Sequence, residues 1–343
     1  MLYGRDRREV KAKLREALDR ARDGGPVRDG KATVAAFAAE WRATTLAASG
    51  RKPATKALYS TLSRAHIESG ALGAVTLDKL APRDVEGFIL ELRACGLADS
   101  TVRTTYTVLR AVLDGAVRDR LLASNPAALV KRPGIERREA QHLDRAQLAQ
   151  LLAAVGGSRF RTPLALIAAT GLRRGECLAL RWADVDLDDG VLHVVATLAR
   201  IDGQLLVSAP KTAKSRRVLR LSPGVVELLR AHRKVQLGER LAAGSQWQDH
   251  GLVFATEFGR PVEPRNLYRA LTVAASRAGV DGVGVHTLRH SVATVMLDDG
   301  HGLKTVSEML GHSSVAITGD IYQHVSDAAA QAAADSMASA IGL

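Results

Sequence analysis

One stretch of the chain is dense in side chains that can act on a phosphate ester. Residues 286–290 read HTLRH and residues 310–312 read LGH, and Tyr322 follows ten positions later in the string GHSSVAITGDIYQHV. His286 and Arg289 are three apart, and His286 and His290 four apart, offsets that share one face of a helix. An imidazole and a guanidinium can therefore enter one site together. His312 follows Gly311, a residue suited to a helix end or a tight turn. Upstream, TGLRRGECLALRW at 170–182 sets Arg173 and Glu176 three apart, just beyond Gly171. Imidazoles, permanently charged guanidiniums and a phenol suit phosphoryl transfer. The phenol attacks and the cations hold the phosphate oxygens.

Together these blocks closely resemble the tyrosine recombinases, also called the phage integrase family, over residues 30–330. The resemblance is carried by Arg173 in TGLRRGE, His286 and Arg289 in HTLRH, His312 in LGH, and Tyr322 as terminal nucleophile. Between the blocks, PKTAKSRRVLRL contains Lys211, which matches the family's hairpin lysine. The resemblance implies site-specific strand exchange on double-stranded DNA at attachment-type sites, for integration or excision of a phage or other mobile element. It also implies a homotetramer on the DNA, accessory DNA-bending or directionality factors, and a cytoplasmic, nucleoid-associated enzyme of bacterial or phage origin. Arg173 and Arg289 would give paired donors to the non-bridging oxygens, a planar fork that lysine lacks. Tyr322, with an ordinary pKa of about 10, needs a proton acceptor, and His286 is the candidate. His312 would hydrogen-bond a non-bridging oxygen and Lys211 would protonate the departing 5′-oxygen. Glu176 would orient a neighbour, His290 would be structural, and Lys214, Arg216 and Arg217 would touch phosphates. The product is a 3′-phosphotyrosyl enzyme, whose ester keeps its energy, so no ATP, metal or other cofactor is expected. Two other readings stay open at this point: a type IB topoisomerase-like relaxase, and a DNA-binding regulator that keeps the fold without catalysis.

Composition agrees with a polyanionic partner. The formal charge is +12 over 343 residues and the isoelectric point is near 10.1. Apolar residues make up 46%, enough for sizeable cores, but aromatics only 4%, so those cores rest on Leu, Val and Ala. The two cysteines, Cys95 and Cys177, fall in different expected domains, which argues against a disulfide framework. No CxxC or HExxH spacing suggests a metal site. The N-terminal stretch is charged throughout, so no signal sequence is expected, and no apolar run reaches membrane-spanning length.

The elements that must position these residues follow from periodicity. The expected fold is mainly α with a small antiparallel β-sheet in the C-terminal domain, a two-domain C-shaped DNA clamp. Residues 1–28 hold a charged helix with Val10, Leu14 and Leu18 on one stripe. It reads either as a solvated helix or as a remnant of an arm-binding domain. Residues 30–132 predict a helical core-binding (SAM-like) domain with helices over 33–48, 55–67, from Pro82, and over 101–117. The last has an apolar stripe of Val102, Tyr106, Leu109, Leu113 and Ala116, with Ser100 at its cap. On this helix the resemblance assigns Ser100, Arg103, Thr104 and Arg110 to DNA. Pro126 and the KRPG run at 131–134 introduce a linker over 133–141. Residues 142–326 predict an α+β catalytic domain. A capping box at Asp144 and Gln147 starts it, and helices follow over 161–170 and 173–180. A strand over 191–198, an Asp202-Gly203 hairpin and the segments LLVSA and RRVLRL predict one small sheet, with Lys211 in a connecting turn. Further helices are expected over 223–233, 265–278, 287–298 and 305–310, and an Ala-rich tail helix in 327–343.

Overall fold

The computed structural model describes residues 6–8, 10–11, 31–136, 142–209, 215–280, 282–311, 314, 319, 335 and 337. The chain separates into two compact units, residues 1–138 and 139–343. Most of the expected N-terminal helix and tail helix lies outside the described residues.

The first unit is helical: α1 (Val34–Trp41), α2 (Pro53–Leu62), α3 (Ala71–Ala74), α4 (Pro82–Ala94) and α5 (Asp99–Arg118). Thr33 caps α1 by accepting the Ala36 N–H at 3.2 Å, and Val34, Phe37, Ala38 and Trp41 form its buried face. Both α1 and α2 run on into π-helical turns, Arg42–Leu46 and Ser63–Glu68. These wide turns bring Arg42 against Glu68 in a two-bond fork, at 2.6 and 2.8 Å, with the Ser63 hydroxyl donating to the same carboxylate. Ala81 has no side chain with which to cap α4, yet Asp84 accepts the Ala81 N–H at 2.8 Å and supplies half of a capping box. Helix α5 buries the stripe expected of it. Its Tyr106 hydroxyl donates to the Ala127 carbonyl at 2.6 Å, which holds the segment after α5 against the helix. The helix begins earlier than the sequence suggests, with Ala98 at the cap, so Ser100 sits inside the first turn and not at its boundary. Cys95, just past α4, is exposed.

The second unit opens with α6 (Arg145–Ala154), α7 (Arg161–Thr170) and α8 (Arg174–Ala179). Asp144 and Gln147 form the reciprocal capping box, with bonds of 2.8 and 3.0 Å. Strands β1 (Val185–Asp186), β2 (Val191–Val194), β3 (Thr197–Ile201), β4 (Gln204–Ser208) and β5 (Arg217–Arg220) follow. They form two sheets where one was expected: an antiparallel β1-β2-β5 sheet and a separate β3-β4 hairpin. The stretch 191–198 breaks after Val194 because its second half packs on α8. A Cβ on Gly175 of α8 would strike the Thr197 hydroxyl and lie 2.7 Å from the Leu198 carbonyl, so only glycine admits β3 so closely. The hairpin turn is the expected one, with Asp202 and Gly203 both at positive φ, 47° and 78°.

Four further helices follow among the described residues: α9 (Pro223–Ala243), α10 (Pro264–Arg277), α11 (Val285–Asp298) and α12 (Leu303–Leu310). Helix α9 runs ten residues beyond the expected Arg233 end. Buried Gln236 secures the extension by accepting from Trp182 Nε1 at 2.6 Å and donating to the Leu252 and Val253 carbonyls. Leu164, Ile167, Leu178, Leu192, Leu219, Leu229, Leu271 and Leu288 meet in the core, and α11 packs on α7 and α12. Cys177 is buried there, its thiol donating to the Pro163 carbonyl at 3.7 Å. No helix among the described residues is long and apolar enough to cross a membrane.

Candidate active site

Helix α7 ends at Gly171, whose φ of 65° turns the chain sharply into α8 and leaves Arg173 at the cap of the new helix. From there Arg173 Nη1 donates to Glu176 Oε1 at 2.7 Å, and its backbone N–H donates to Oε2 at 3.1 Å. Its Nη2 donates to the Gly311 carbonyl at 2.9 Å. Arg289, only 4% exposed, projects from α11 and donates to the Gly171 carbonyl at 2.5 Å and the Leu310 carbonyl at 2.6 Å. Arg217 enters from β5 and donates from Nε to the Met309 carbonyl at 2.7 Å and from Nη2 to Glu176 Oε2 at 3.0 Å. Three successive carbonyls, those of Met309, Leu310 and Gly311, thus each hold one arginine. They lie at the C-terminal end of α12, where carbonyls lack helical partners and carry partial negative charge.

The electrostatics follow from this crowding. Burial acts to raise the Glu176 carboxyl, but Arg217 and then Arg173 outweigh it and hold the group below its ordinary range. Burial, then the positive charge of Arg173, pushes the Arg289 guanidinium down to about 9, which still leaves it charged at neutral pH. His286 lies on the first turn of α11. Partial burial of its ring, then the charges of Arg289, Arg174 and Arg173, lower its pKa, which favours the neutral ring near pH 7. His290, one turn on, is lowered by burial and then by His286 and Arg289, and its buried Nδ1 has no hydrogen-bond partner among the described residues.

Of the residues expected at the site, Arg173, Glu176, Arg289 and His286 come together in this unit. Lys211, Lys214, His312 and Tyr322 lie outside the described residues. Arg216 is exposed just ahead of β5, whereas Arg217 corrects the expectation placed on it. The sequence places it among the DNA phosphate contacts, but its side chain is 7% exposed and bound to internal acceptors. Strand alternation carries the signal: Val218 and Arg220 face out, while Arg217 and Leu219 face in. Arg174 is a residue that sequence reasoning misses, an exposed cation whose field reaches both His286 and Glu263. In the first unit, Ser100 and Arg110 are exposed on α5 and Arg103 and Thr104 are half-buried. The Thr104 hydroxyl donates to the Ser100 carbonyl at 2.7 Å.

Fixed arginines beside a neutral imidazole make a centre for an anionic ester, the class of site found in enzymes that act on phosphodiesters. The sequence pattern of the "Phage integrase family" matches residues 141–329. A protein described as "Tyrosine recombinase XerC-like" from Caldanaerobacter subterraneus subsp. tengcongensis is 30% identical, covering 94% of this chain and 87% of its own length. An "Integrase" from Streptomyces ambofaciens is 33% identical, covering 93% and 83%. The fold is similar to that of the Tn1549 transposon integrase solved with transposon right-end DNA. That match has a TM-score of 0.74 at 20% identity, over 89% of this chain and 99% of the other. The chain belongs to the phage integrase family. It is a site-specific DNA recombinase, an enzyme that binds, breaks and rejoins DNA strands.

Proposed function

We propose that Tyr322 attacks the scissile phosphate to give a 3′-phosphotyrosyl link and a free 5′-hydroxyl, and that the reverse attack by another strand's 5′-hydroxyl completes exchange. Arg173 and Arg289 hold the non-bridging oxygens, His286 accepts the phenol proton, His312 adds a hydrogen bond and Lys211 protonates the leaving 5′-oxygen. One observation carries this reading: Arg173 and Arg289 are fixed by a single helix end before any DNA arrives. Three guanidiniums against one carboxylate leave a positive surplus. That surplus suits the charge a phosphodiester gains in its pentacoordinate transition state, and it needs no reorganisation to act.

Around this centre, the helical unit ending near residue 132 serves as a core-binding domain and the linker at 133–141 lets two domains clamp the duplex. Four chains assemble on paired attachment-type sites, aided by DNA-bending or directionality factors, in the cytoplasm of a bacterial host. The transposon DNA bound by the Tn1549 integrase supports a mobile element as the substrate. The test is covalent capture. The chain is mixed with nicked duplexes of randomised sequence, and DNA that survives denaturant attached to protein is sequenced. Capture of one defined site is expected, with none by Tyr322→Phe. An adduct formed by Tyr322→Phe would overturn the nucleophile. Lys211→Ala should cleave poorly, yet recover on a duplex with sulfur at the 5′-bridging position, whose thiolate leaves without a proton. No recovery would make Lys211 a phosphate holder.

A further inference from the structure

Arg217 stands apart from its neighbours. Its Nε donates to the Met309 carbonyl, Nη1 to the Ser215 carbonyl at 3.3 Å and Nη2 to Glu176, so each of its nitrogens already serves an internal acceptor, and the side chain is 7% exposed. A buried ion pair is poorly explained by stability, because apolar residues of like volume commonly do as well. The two stronger contacts reach the two halves of the site. Glu176 is shared with Arg173, which it holds through both carboxylate oxygens. Met309 supplies the first of the three carbonyls, and the next two hold Arg289 and Arg173. Gly311 fits against the same side chain, since a Cβ there would lie 3.0 Å from Arg217 Cδ and Nη1.

We propose that Arg217 is a positioning residue for strand cleavage: it orients Glu176 and the end of α12 together, and so sets the spacing at which Arg173 and Arg289 meet the scissile phosphate. This rests on the phosphate-binding reading of those two arginines. Charged groups approach Glu176 from Arg173 at the α8 cap, Arg217 on β5 and Arg289 on α11. Cys177 adjoins it on its own helix, and Asp184 and His193 line the same narrow space. Without Arg217, the largest influence opposing burial at Glu176 is gone, so the carboxyl takes up a proton more readily than in the parent and loosens its hold on Arg173. A lysine at 217 restores the charge beside Glu176 but cannot also reach the Met309 and Ser215 carbonyls as a fork does.

The test compares the full chain with Arg217→Ala and Arg217→Lys on the captured duplex. At saturating DNA, Arg217→Ala should cleave roughly 10²-fold more slowly, the scale of losing one preorganised donor. Its Kd for DNA should stay within about threefold of the parent. The acid limb of its cleavage profile should move to higher pH, and Glu176→Gln placed on top should abolish that movement. Arg217→Lys should recover the limb but not the rate, and it keeps the test alive if Arg217→Ala does not fold. Cleavage by both variants at the parent rate overturns the proposal. So does a fall in rate matched by a fall in DNA affinity with the limb unmoved.

Failure of the underlying reading looks different, because the parent chain itself then captures no DNA. Melting still decides in that case. In the parent, the depressed Glu176 contributes stability above the unfolded carboxylate value, and loses it only as pH falls through the lower folded value. In Arg217→Ala the carboxyl titrates higher than in the parent, so part of that stability is missing at neutral pH and the loss lessens in acid. The Tm deficit of the variant should therefore shrink as pH falls through and below the ordinary carboxylate value. A deficit independent of pH overturns the link between Arg217 and Glu176.

Discussion

Arginines serve two opposite purposes in the two units of this chain. On α5, Arg110 is exposed and Arg103 half-buried, with the half-buried Thr104 beside them, and among the described residues no ion pair fixes either guanidinium. In the second unit, Arg289 is buried, the Arg217 side chain is 7% exposed and that of Arg173 one-third exposed, each bound to named oxygens. The first pattern supplies attraction that any cation could supply and that salt can screen. The second supplies geometry, set before substrate arrives, in surroundings where salt has little access. Affinity and rate should therefore separate along the same line.

The largest effect should come from Arg289→Lys. Lysine keeps the charge but cannot span the Gly171 and Leu310 carbonyls. Cleavage at saturating DNA should fall by roughly 10³-fold, with affinity little changed. Equal losses in both would erase the distinction between the units. Next is His286→Ala, expected to slow cleavage by about 10²-fold, the lower range for a general base. The sign with pH is fixed by its lowered pKa. Neutral His286 is the accepting form, so the parent's rate should hold from neutral pH down to the ordinary histidine value and fall below it. His286→Ala should lose that limb, and a limb that persists would assign the proton to another group.

Third, Gly175→Ala should destabilise the second unit by about 1–3 kcal/mol in chemical denaturation, because a methyl there must displace β3. The matching change in the first unit, Gly87→Ala in α4, meets nothing within 4 Å. It should stabilise by about 0.5–1 kcal/mol. Opposite signs would show that close packing belongs to the site and open space to the other unit. Smallest is Arg110→Ala, which should lower the slope of log affinity against log salt by about 0.9 and reduce DNA affinity a few-fold. A marked loss of cleavage at saturating DNA would place Arg110 with the fixed arginines instead.

Legibility from sequence followed how local each cause is. Gly171 ending α7, the Asp144–Gln147 box and the Asp202-Gly203 turn each depend on residues within a few positions, and each stands where the sequence puts it. So does the pairing of Arg173 with Glu176, an i,i+3 relation. What escaped was set by distant partners. The strand break after Val194 depends on Gly175, and the extra length of α9 on the Gln236 bonds to Trp182 and the Leu252 and Val253 carbonyls. The inward turn of Arg217 depends on Glu176 and Met309, forty-one and ninety-two positions away. A row of basic residues, RRVLRL, looks uniform to a reader of composition, and only its alternation separates the exposed from the buried.

The two cysteines make the chain its own reporter. Cys177 is fully enclosed, and burial, then the charge of Glu176, pushes its thiol far above the range where thiolate forms. Cys95 lies open to solvent. A maleimide dye should therefore attach at a single natural position on the helical unit, with no cysteine engineered or removed. Slow labelling at Cys177 would then time the rare openings of the catalytic core, a clock read by mass spectrometry beside the dye's signal.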